Sequence, residues 1–235
     1  MDFYLTEEQE MLKKVAREFA DREIEPRAEA IAREGKLPPN MAENMGKVRL
    51  LGMKSPRKYG GVDAGNLNFV LAVEQIGYSD LVCSQLMNSN NNMGQEIAHY
   101  GTEEHREKYI RALCEGKAIG SLAFTEPATG SDAKAMTTVA TPDGDGYVVN
   151  GTKRFVTHGS LDGPIIIFAK DETGRVSGFI MDKNVEGYST SPQWELMGLA
   201  GWNLVDVYLD KVRIPKSNLF GPKGEGLHYL FEHSG

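Results

Sequence analysis

Apolar residues recur at two different spacings along this chain of 235 residues, and the spacing changes near residue 118. In the first half, apolar side chains return every three or four residues, as Met11, Val15 and Phe19 do, which is the period of an amphipathic helix. In the second half, short apolar runs alternate with turn residues, which is typical of strands. The pattern therefore predicts a helical region followed by a β region.

The helical half contains recognisable start and stop signals. Thr6 followed by Gln9 fits a capping box, and Pro26 is expected to kink or end the first helix. Thr102 is expected to cap a helix that runs to Cys114. Further helices are predicted from Pro38-Pro39-Asn40 to near Gly52, and over Leu67–Ile76, Leu81–Met87 and Met93–Tyr100.

Turn signals and apolar runs define the β half. The sequence Asp143-Gly144-Asp145-Gly146 is typical of a hairpin turn, and Pro215 ends the region. Strands are predicted over Ile119–Phe124, Tyr147–Asn150, Arg154–Thr157, Ile165–Ala169, Val176–Met181 and Leu204–Leu209. We expect an α+β chain with an N-terminal all-helical domain at 1–117 and a small antiparallel β-barrel-like domain at 118–220. The start of a further helix is expected in a truncated domain at 221–235.

Composition narrows the classes of function. The chain has 26 basic and 33 acidic residues, a net charge of −7 and no basic block, so no nucleic-acid partner is expected. No apolar run approaches a membrane-spanning length, so no membrane insertion is expected. Cys83 and Cys114 fit neither a disulfide framework nor a metal site, and we expect buried reduced thiols. The N-terminus shows no signal or transit peptide, which predicts a cytoplasmic protein.

The loop Thr125–Asp132 combines more chemically useful residues than any other segment. Pro127 pushes Glu126 out of the helical region, and Gly130 permits close approach of a ligand to the main chain. Successive amides around Ser131 are able to form an anion-binding concavity. A plain β-turn is the alternative, because Gly, Ser and Asp are ordinary turn formers.

Three motifs in order resemble the acyl-CoA dehydrogenase family. The loop reads T-E-P-A-T-G-S-D, similar to the family's flavin-binding loop T-E-P-x-x-G-S-D. Upstream, Tyr100–Tyr109 is similar to the family's Y-G-T-E-E-Q-K-x-K-Y helix. Downstream, Asn150–Thr157 is similar to its N-G-x-K-x-W-I-T strand. The resemblance covers nearly the whole chain and implies the helical and β domains of that family, without its C-terminal helical domain.

The resemblance implies FAD as cofactor and an acyl-CoA as substrate, with α,β-dehydrogenation to a trans-2-enoyl-CoA and hydride transfer to N5 of FAD. It also implies an electron-transfer flavoprotein or similar acceptor and a homo-oligomeric full-length protein. Ser131 is expected near the pyrophosphate or the CoA portion of the substrate. The implied cofactor-binding residues are Leu122, Ala123, Phe124, Thr125, Gly130, Ser131, Phe155, Val156 and Thr157. Ordinary strand threonines and a core phenylalanine are the alternative interpretation of Thr125, Thr157 and Phe155.

Several residues depart from the family pattern. Phe155 stands where the family usually has Trp, and His158 where it often has Asn or a small residue. A histidine there is able to tune the charge of a flavin or donate a proton, but we expect a solvent-exposed loop residue. The stretch Leu199–Leu204 also departs from the family pattern after Met197-Gly198. The family's catalytic glutamate is expected beyond Gly235, so no catalytic residue and no metal ligand are assigned.

Two other functions fit the same residues: a non-catalytic flavin- or CoA-binding module, and an enoyl-CoA reductase of the same fold. The segment Asn88–Asn92, which contains four asparagines, bears on which acyl group the protein binds. Unpaired amides beside an alkyl chain are costly, so this segment predicts a short or polar acyl group. The alternative is that these asparagines cap helices and face solvent.

Overall fold

The computed structural model describes residues 4–232, which form two compact units. The first unit contains the described residues up to Gln95, together with Ile110–Lys117 and Glu195–Trp202. The second contains Glu96–Tyr109, Ala118–Trp194 and the described residues from Asn203 onward. The order of helices and then strands confirms the predicted α+β class.

Helices occupy most of the first half of the chain. The α-helices are α1 Glu7–Phe19, α2 Ala28–Glu34, α3 Met41–Lys47, α4 Gly65–Ser79, α5 Leu81–Tyr100, α6 Glu103–His105, α7 Arg111–Cys114 and α8 Gly226–Glu232. Short π-helical segments lie at Ala20–Ile24 and Arg106–Ile110. The 3₁₀ turns lie at Glu25–Arg27, Leu50–Gly52, Arg57–Tyr59, Ala133–Ala135 and Lys216–Asn218. No helix in the described range 4–232 is long and apolar enough to span a bilayer.

The predicted helix signals act as expected at both capping sites. The Thr6 hydroxyl accepts from the amide of Gln9 at 3.3 Å, and the Gln9 side chain accepts from the amide of Thr6 at 2.9 Å. Thr102 forms the same reciprocal pair with His105. The division of Leu81–Tyr100 into two short helices was wrong, since it forms one continuous helix of 20 residues. The stretch contains no proline that would end or kink a helix between Met87 and Met93.

The asparagines of α5 explain why that helix continues. Asn90 and Asn91 are fully buried within the first unit. Asn90 donates to the carbonyl of Leu113 at 2.9 Å, and Asn91 donates to the carbonyl of Leu50 at 2.8 Å. Burying an amide is tolerated when it is hydrogen bonded in this way. The solvent-facing interpretation is therefore wrong for these two residues, and both amides are committed to the backbone rather than available to an acyl group.

Eight strands in the second unit form one mixed sheet. They are β1 Ser121–Ala123, β2 Val139–Asp143, β3 Gly146–Thr157, β4 Pro164–Lys170, β5 Val176–Asp182, β6 Tyr188–Thr190, β7 Leu204–Pro215 and β8 Leu219–Phe220. The strand order is β6-β7-β3-β2-β4-β5-β8, with β1 beside β4. Asp143 pairs with Gly146, which confirms the predicted hairpin between β2 and β3.

Two details of the predicted sheet were wrong. The sheet is open in its strand order rather than barrel-like, because β6 and β8 stand at the two ends of the order. It is also not purely antiparallel, since β1 and β2 both pair with β4 in parallel. Apolar side chains from most of these strands, including Val149, Ile167 and Val207, form the core of the unit. That core fixes the strand ends at which the candidate site lies.

Candidate functional site

The two segments predicted to contact flavin lie side by side in the second unit. The amide of Arg154 donates to the carbonyl of Thr125 at 2.8 Å, which joins β3 to the chain leaving β1. The Ser121 hydroxyl donates to the carbonyl of Thr157 at 2.8 Å, which joins the same two segments at a second point. Two hydrogen bonds therefore hold together segments whose bonded residues are 29 and 36 positions apart in sequence.

The predicted residues in these segments differ in which groups they expose. Ala123 and Val156 are buried in the core, and each exposes 1 % of its surface. Leu122, Phe124, Thr125 and Thr157 are half-buried. Phe155 is more exposed than these residues, with 50 % of its surface accessible. The core interpretation of Phe155 is therefore wrong.

The loop after Thr125 begins with a tight turn. The amide of Glu126 donates to the carbonyl of Thr129 at 2.9 Å, and the amide of Thr129 donates back at 3.2 Å. The turn interpretation of this loop is correct for Glu126–Thr129. Gly130, Ser131 and Asp132 follow, and each is exposed. None of these three described residues has a positive φ. An anion-binding concavity needs a right-handed residue followed by a left-handed one, so it is not formed there.

Glu126 is buried at the base of this loop. Its Oε1 lies 2.8 Å from Nζ of Lys153, a side chain with no exposed surface. Its Oε2 accepts from the amide and the hydroxyl of Thr137 at 2.6 and 2.7 Å, and Oε1 also accepts from the amide of Thr138 at 3.0 Å. Burial alone acts to raise the pKa of Glu126, but these donors more than offset it and lower the pKa to about 2. Glu126 is thus an anchor of the loop that stays charged at neutral pH.

A second buried cation lies under the end of β3. Nζ of Lys183 donates to the carbonyls of Ile119, His158 and Leu161 at 2.9, 3.0 and 2.8 Å. It thereby joins the segment before β1 to the turn after Thr157. Burial lowers the pKa of Lys183 to about 7, and the nearby carboxylate of Asp162 opposes the shift. Lys183 therefore adds three hydrogen bonds to the two that join the segments ending in Thr125 and Thr157.

His158 is buried, which overturns the expectation of an exposed loop histidine. Its side chain has no exposed surface and φ is 56°, a left-handed conformation. Neither ring nitrogen has a hydrogen-bond partner within the described part of the chain. Burial first, and then the charge of Lys183, lower the pKa of His158 to about 3. The imidazole is therefore neutral at physiological pH and is not a proton donor in that state.

Ser131 lines a groove of about 720 Å³ within the second unit. Lys134 and His228 supply basic groups to this groove, Asp132 and Glu232 supply carboxylates, and Leu227 and Phe231 of α8 supply apolar surface. Phe231 exposes 56 % of its surface. A groove with polar groups of both charge types and an apolar wall suits a ligand that has both a polar and an apolar portion.

The residues present fit a flavin on two observations. The hydroxyls of Thr125 and Thr157 are half-buried, and neither forms a hydrogen bond with another described residue. A Cβ placed on Gly130 would meet no other atom of the described chain within 4 Å, so packing within the chain does not explain this glycine. Two unpaired hydroxyls beside two joined segments, with open space at Gly130, are suited to a polar-edged cofactor.

Sequence reasoning missed Lys153, Lys183, Trp194 and Asp206. A signal existed for Asp206, because a carboxylate interrupts the otherwise apolar run Leu204–Leu209. The two lysines gave no signal, since lysine is ordinarily exposed. Trp194 stands in an irregular segment, and only the folded chain brings it beside Phe155.

Comparison with known proteins identifies the relatives of this chain. Residues 6–117 match the family model for the acyl-CoA dehydrogenase N-terminal domain, and residues 121–212 match that for the middle domain. The chain is 38 % identical over 238 residues to acryloyl-CoA reductase (NADH) of Anaerotignum propionicum, covering 99 % of this chain and 60 % of that protein. It thus spans about three fifths of that relative.

Solved structures give the same result. One similar chain comes from a study of the electron transferring flavoprotein of Acidaminococcus fermentans, with a TM-score of 0.93, 32 % identity, and coverage of 99 % of this chain and 62 % of that one. The acyl-CoA dehydrogenase complexed with FAD from Bacillus anthracis has a TM-score of 0.89 and 28 % identity, with coverage of 97 % and 40 %. Since the two family models together match most of its residues, the chain belongs to the acyl-CoA dehydrogenase family.

Proposed function

We propose that this chain forms the flavin- and acyl-CoA-binding part of an FAD-dependent oxidoreductase that interconverts an acyl-CoA and a trans-2-enoyl-CoA. One observation carries the proposal. The segments ending in Thr125 and Thr157 are joined by the Arg154–Thr125 and Ser121–Thr157 hydrogen bonds, and both threonine hydroxyls are left unpaired within the described residues. A solved acyl-CoA dehydrogenase of similar structure contains FAD.

The predicted site residues other than Phe155 have the following proposed roles. Bound FAD supplies the hydride acceptor of the reaction. The hydroxyls of Thr125 and Thr157 donate hydrogen bonds to the polar edge of the flavin, with the backbone of Leu122–Phe124 and Val156 beside it. Donors placed where charge develops stabilise a reduced ring. Gly130 leaves room for the cofactor, and Ser131 and Lys134 hold phosphates of the cofactor or of CoA in the 720 Å³ groove.

No general base is assigned among residues 4–232. Glu126 is the carboxylate nearest the flavin segments in sequence, but it is buried, paired with Lys153 and fully hydrogen bonded. A base must reach the proton that it removes. We propose that the base lies outside the 235 residues, so that this chain alone does not turn over acyl-CoA. Assembly into a homo-oligomer and electron exchange with an electron-transfer flavoprotein are also proposed for the whole protein.

The reverse reaction, reduction of an enoyl-CoA, is the second candidate. It is favoured by the 38 % identity to a protein named as an acryloyl-CoA reductase. Both directions use the same site, and the direction depends on the electron partner. The site residues assigned above are the same in either case.

Spectroscopy of the purified chain tests the proposal. We expect the chain to bind added FAD, to show a perturbed flavin absorption spectrum, and to shift that spectrum again when butyryl-CoA or crotonyl-CoA is added. Free CoA is the control. Flavin binding without any response to the thioesters would favour a non-catalytic module, and absence of flavin binding would contradict the proposed function.

A further inference from the structure

An irregularity in β3 turns one aromatic ring out of the sheet. In the pairing of β3 with β7, Lys153 stands opposite Val207 and Val156 opposite Val205, so Arg154 and Phe155 together face Asp206. This is a β-bulge, and φ of Phe155 is 57°, an uncommon value for an aromatic residue. Such backbone strain persists only where the surroundings hold it, and it clusters at ligand sites.

Asp206 is the group that holds the bulge. Its side chain is nearly buried, and its Oδ1 accepts from the amide of Phe155 at 3.4 Å and from the indole nitrogen of Trp194 at 3.1 Å. Its Oδ2 lies 3.4 Å from Nε of Arg154. The hydroxyl of Ser191 accepts from the amide of Asp206 at 3.0 Å. A single carboxylate therefore fixes both the strained backbone and a tryptophan from a different segment.

The result is an aromatic platform formed by Phe155 and Trp194. The ring centroids lie 5.5 Å apart at an interplanar angle of 55°. The guanidinium carbon of Arg154 lies 5.7 Å from the Phe155 centroid and 5.5 Å from that of Trp194. Both rings stay accessible, with 50 % of Phe155 and 38 % of Trp194 exposed. Neither belongs to the apolar core of the unit, so core packing does not explain why the pair is fixed.

We propose that Trp194, together with Phe155, packs against the isoalloxazine ring of FAD. This proposal rests on the proposed function and adds a residue to its site. The platform is continuous with the flavin segments, because Phe155 is two residues from Thr157 and the amide of Arg154 bonds to Thr125. A planar conjugated ring stacks on aromatic faces, and the nearby guanidinium favours negative charge on a reduced ring. Trp194 thus supplies an indole beside Phe155. The resemblance leads one to expect a tryptophan at position 155 itself.

The sequence offers a direct test, because Trp194 and Trp202 are its two tryptophans. The variant W202F keeps only the platform indole, and W194F keeps only the other one. On titration with FAD, we expect the indole emission of W202F to be strongly quenched, and that of W194F to change clearly less. FMN should quench like FAD, since the two share the isoalloxazine ring. ADP and free CoA should not quench, and equal quenching by either would assign the platform to adenine and overturn the proposal.

Affinity and flavin emission provide a second readout that does not depend on activity. We expect W194L to weaken FAD binding about 3- to 10-fold, because contact with an aromatic face is lost. It should also raise the emission of the bound flavin, because the indole that quenches it is lost. W194F should retain most of the affinity but also raise flavin emission, and W202F should match the unsubstituted chain in both. If the unsubstituted chain binds FAD but W194L changes neither quantity, only the platform is overturned. If the unsubstituted chain binds no flavin, the proposed function falls as well.

Discussion

Nζ of Lys153 lies 2.8 Å from Oε1 of Glu126, and neither side chain exposes more than 1 % of its surface. This ion pair connects the start of the loop Thr125–Asp132 to the middle of β3, so it sets the distance between the two flavin segments. Glu126 belongs to the motif that resembles the family's flavin loop, and its role is to anchor that loop.

Breaking this pair is expected to destabilise the second unit strongly. E126Q or K153M each leaves a buried partner without compensation, and we expect a loss of about 3–5 kcal/mol in the free energy of unfolding. The double variant E126Q/K153M should lose less than the sum of the two single losses. The control is E18Q, which removes an exposed pair with Lys14 at 3.9 Å and should cost at most about 0.5 kcal/mol. Urea unfolding measures all four, and additive losses would show that the two side chains are not coupled.

Stability is expected to fall in acid in two stages. The pKa of His158 drops from 6.5 to about 3 on folding, so between these values the unfolded chain binds the proton and the folded chain does not. Stability therefore decreases as the pH falls from 6.5, by at most about 1.4 kcal/mol per pH unit for this group. Burial also lowers the pKa of His105, which adds in the same direction. The pKa of Glu126 drops from 4.5 to about 2, so its contribution is lost as the pH falls through that lower window.

The variant H158N isolates the first stage. Asparagine tolerates the left-handed backbone of this position and does not titrate, so the slope between pH 6.5 and 4.5 should become smaller. H228N alters an exposed histidine and should leave the slope unchanged. Urea unfolding at several pH values gives the slopes, and equal slopes for H158N and the unsubstituted chain would argue against a buried neutral imidazole.

Lys183 is expected to extend the rise of stability with pH onto the alkaline side. Its pKa drops from 10.5 to about 7 on folding, so the unfolded chain binds more protons between these values, and stability rises with pH across that window. K183M should make this rise smaller without abolishing it, because burial also lowers the pKa of Lys153, to about 8, and adds in the same direction. It should also destabilise the chain at pH 7, because the carbonyls of Ile119, His158 and Leu161 lose a donor, at about 1–3 kcal/mol for each one left unpaired. The exposed Lys216 provides the control K216M, for which neither effect is expected.

The two threonine hydroxyls are expected to act on the cofactor without affecting the fold. T125A and T157A should each weaken FAD binding by the worth of one hydrogen bond, about 0.5–1.5 kcal/mol, or shift the flavin reduction potential. Both hydroxyls are unpaired within the described residues, so the unfolding free energy should stay nearly constant. T152A, a substitution of another half-buried threonine of β3, is the control. Unchanged affinity and potential in both variants would show that these threonines serve the strands alone.

Asn91 is expected to matter for folding rather than for the choice of substrate. N91L removes the donors to the carbonyls of Leu50 and Met87, both at 2.8 Å, and the acceptor for the amide of Lys54 at 3.0 Å. Each buried group left unpaired costs about 1–3 kcal/mol. N92L changes the exposed neighbour and should stay within about 0.5 kcal/mol of the unsubstituted chain. Thermal unfolding compares them, and a stable N91L protein with altered acyl-chain preference would reverse this assignment.

The sequence by itself determined the class of fold, the hairpin at Asp143–Gly146, the helix caps at Thr6 and Thr102 and the turn at Glu126–Thr129. These features depend on local chemistry, namely apolar spacing, capping side chains and turn glycines, which act within a few residues of chain. The family motifs are also local, so they were recognisable in the order in which they occur.

Only the tertiary structure decided how the site is held together. Lys153, Lys183, His158 and Asp206 are polar residues whose burial depends on partners 20 to 60 positions away, and no local pattern reveals such partners. The β-bulge at Phe155 also depends on a partner strand, because a bulge is defined by pairing with β7. Local spacing predicts which element forms, but the free energy of burying a charge or straining a backbone is set by distant contacts, and these appear only when the chain has folded.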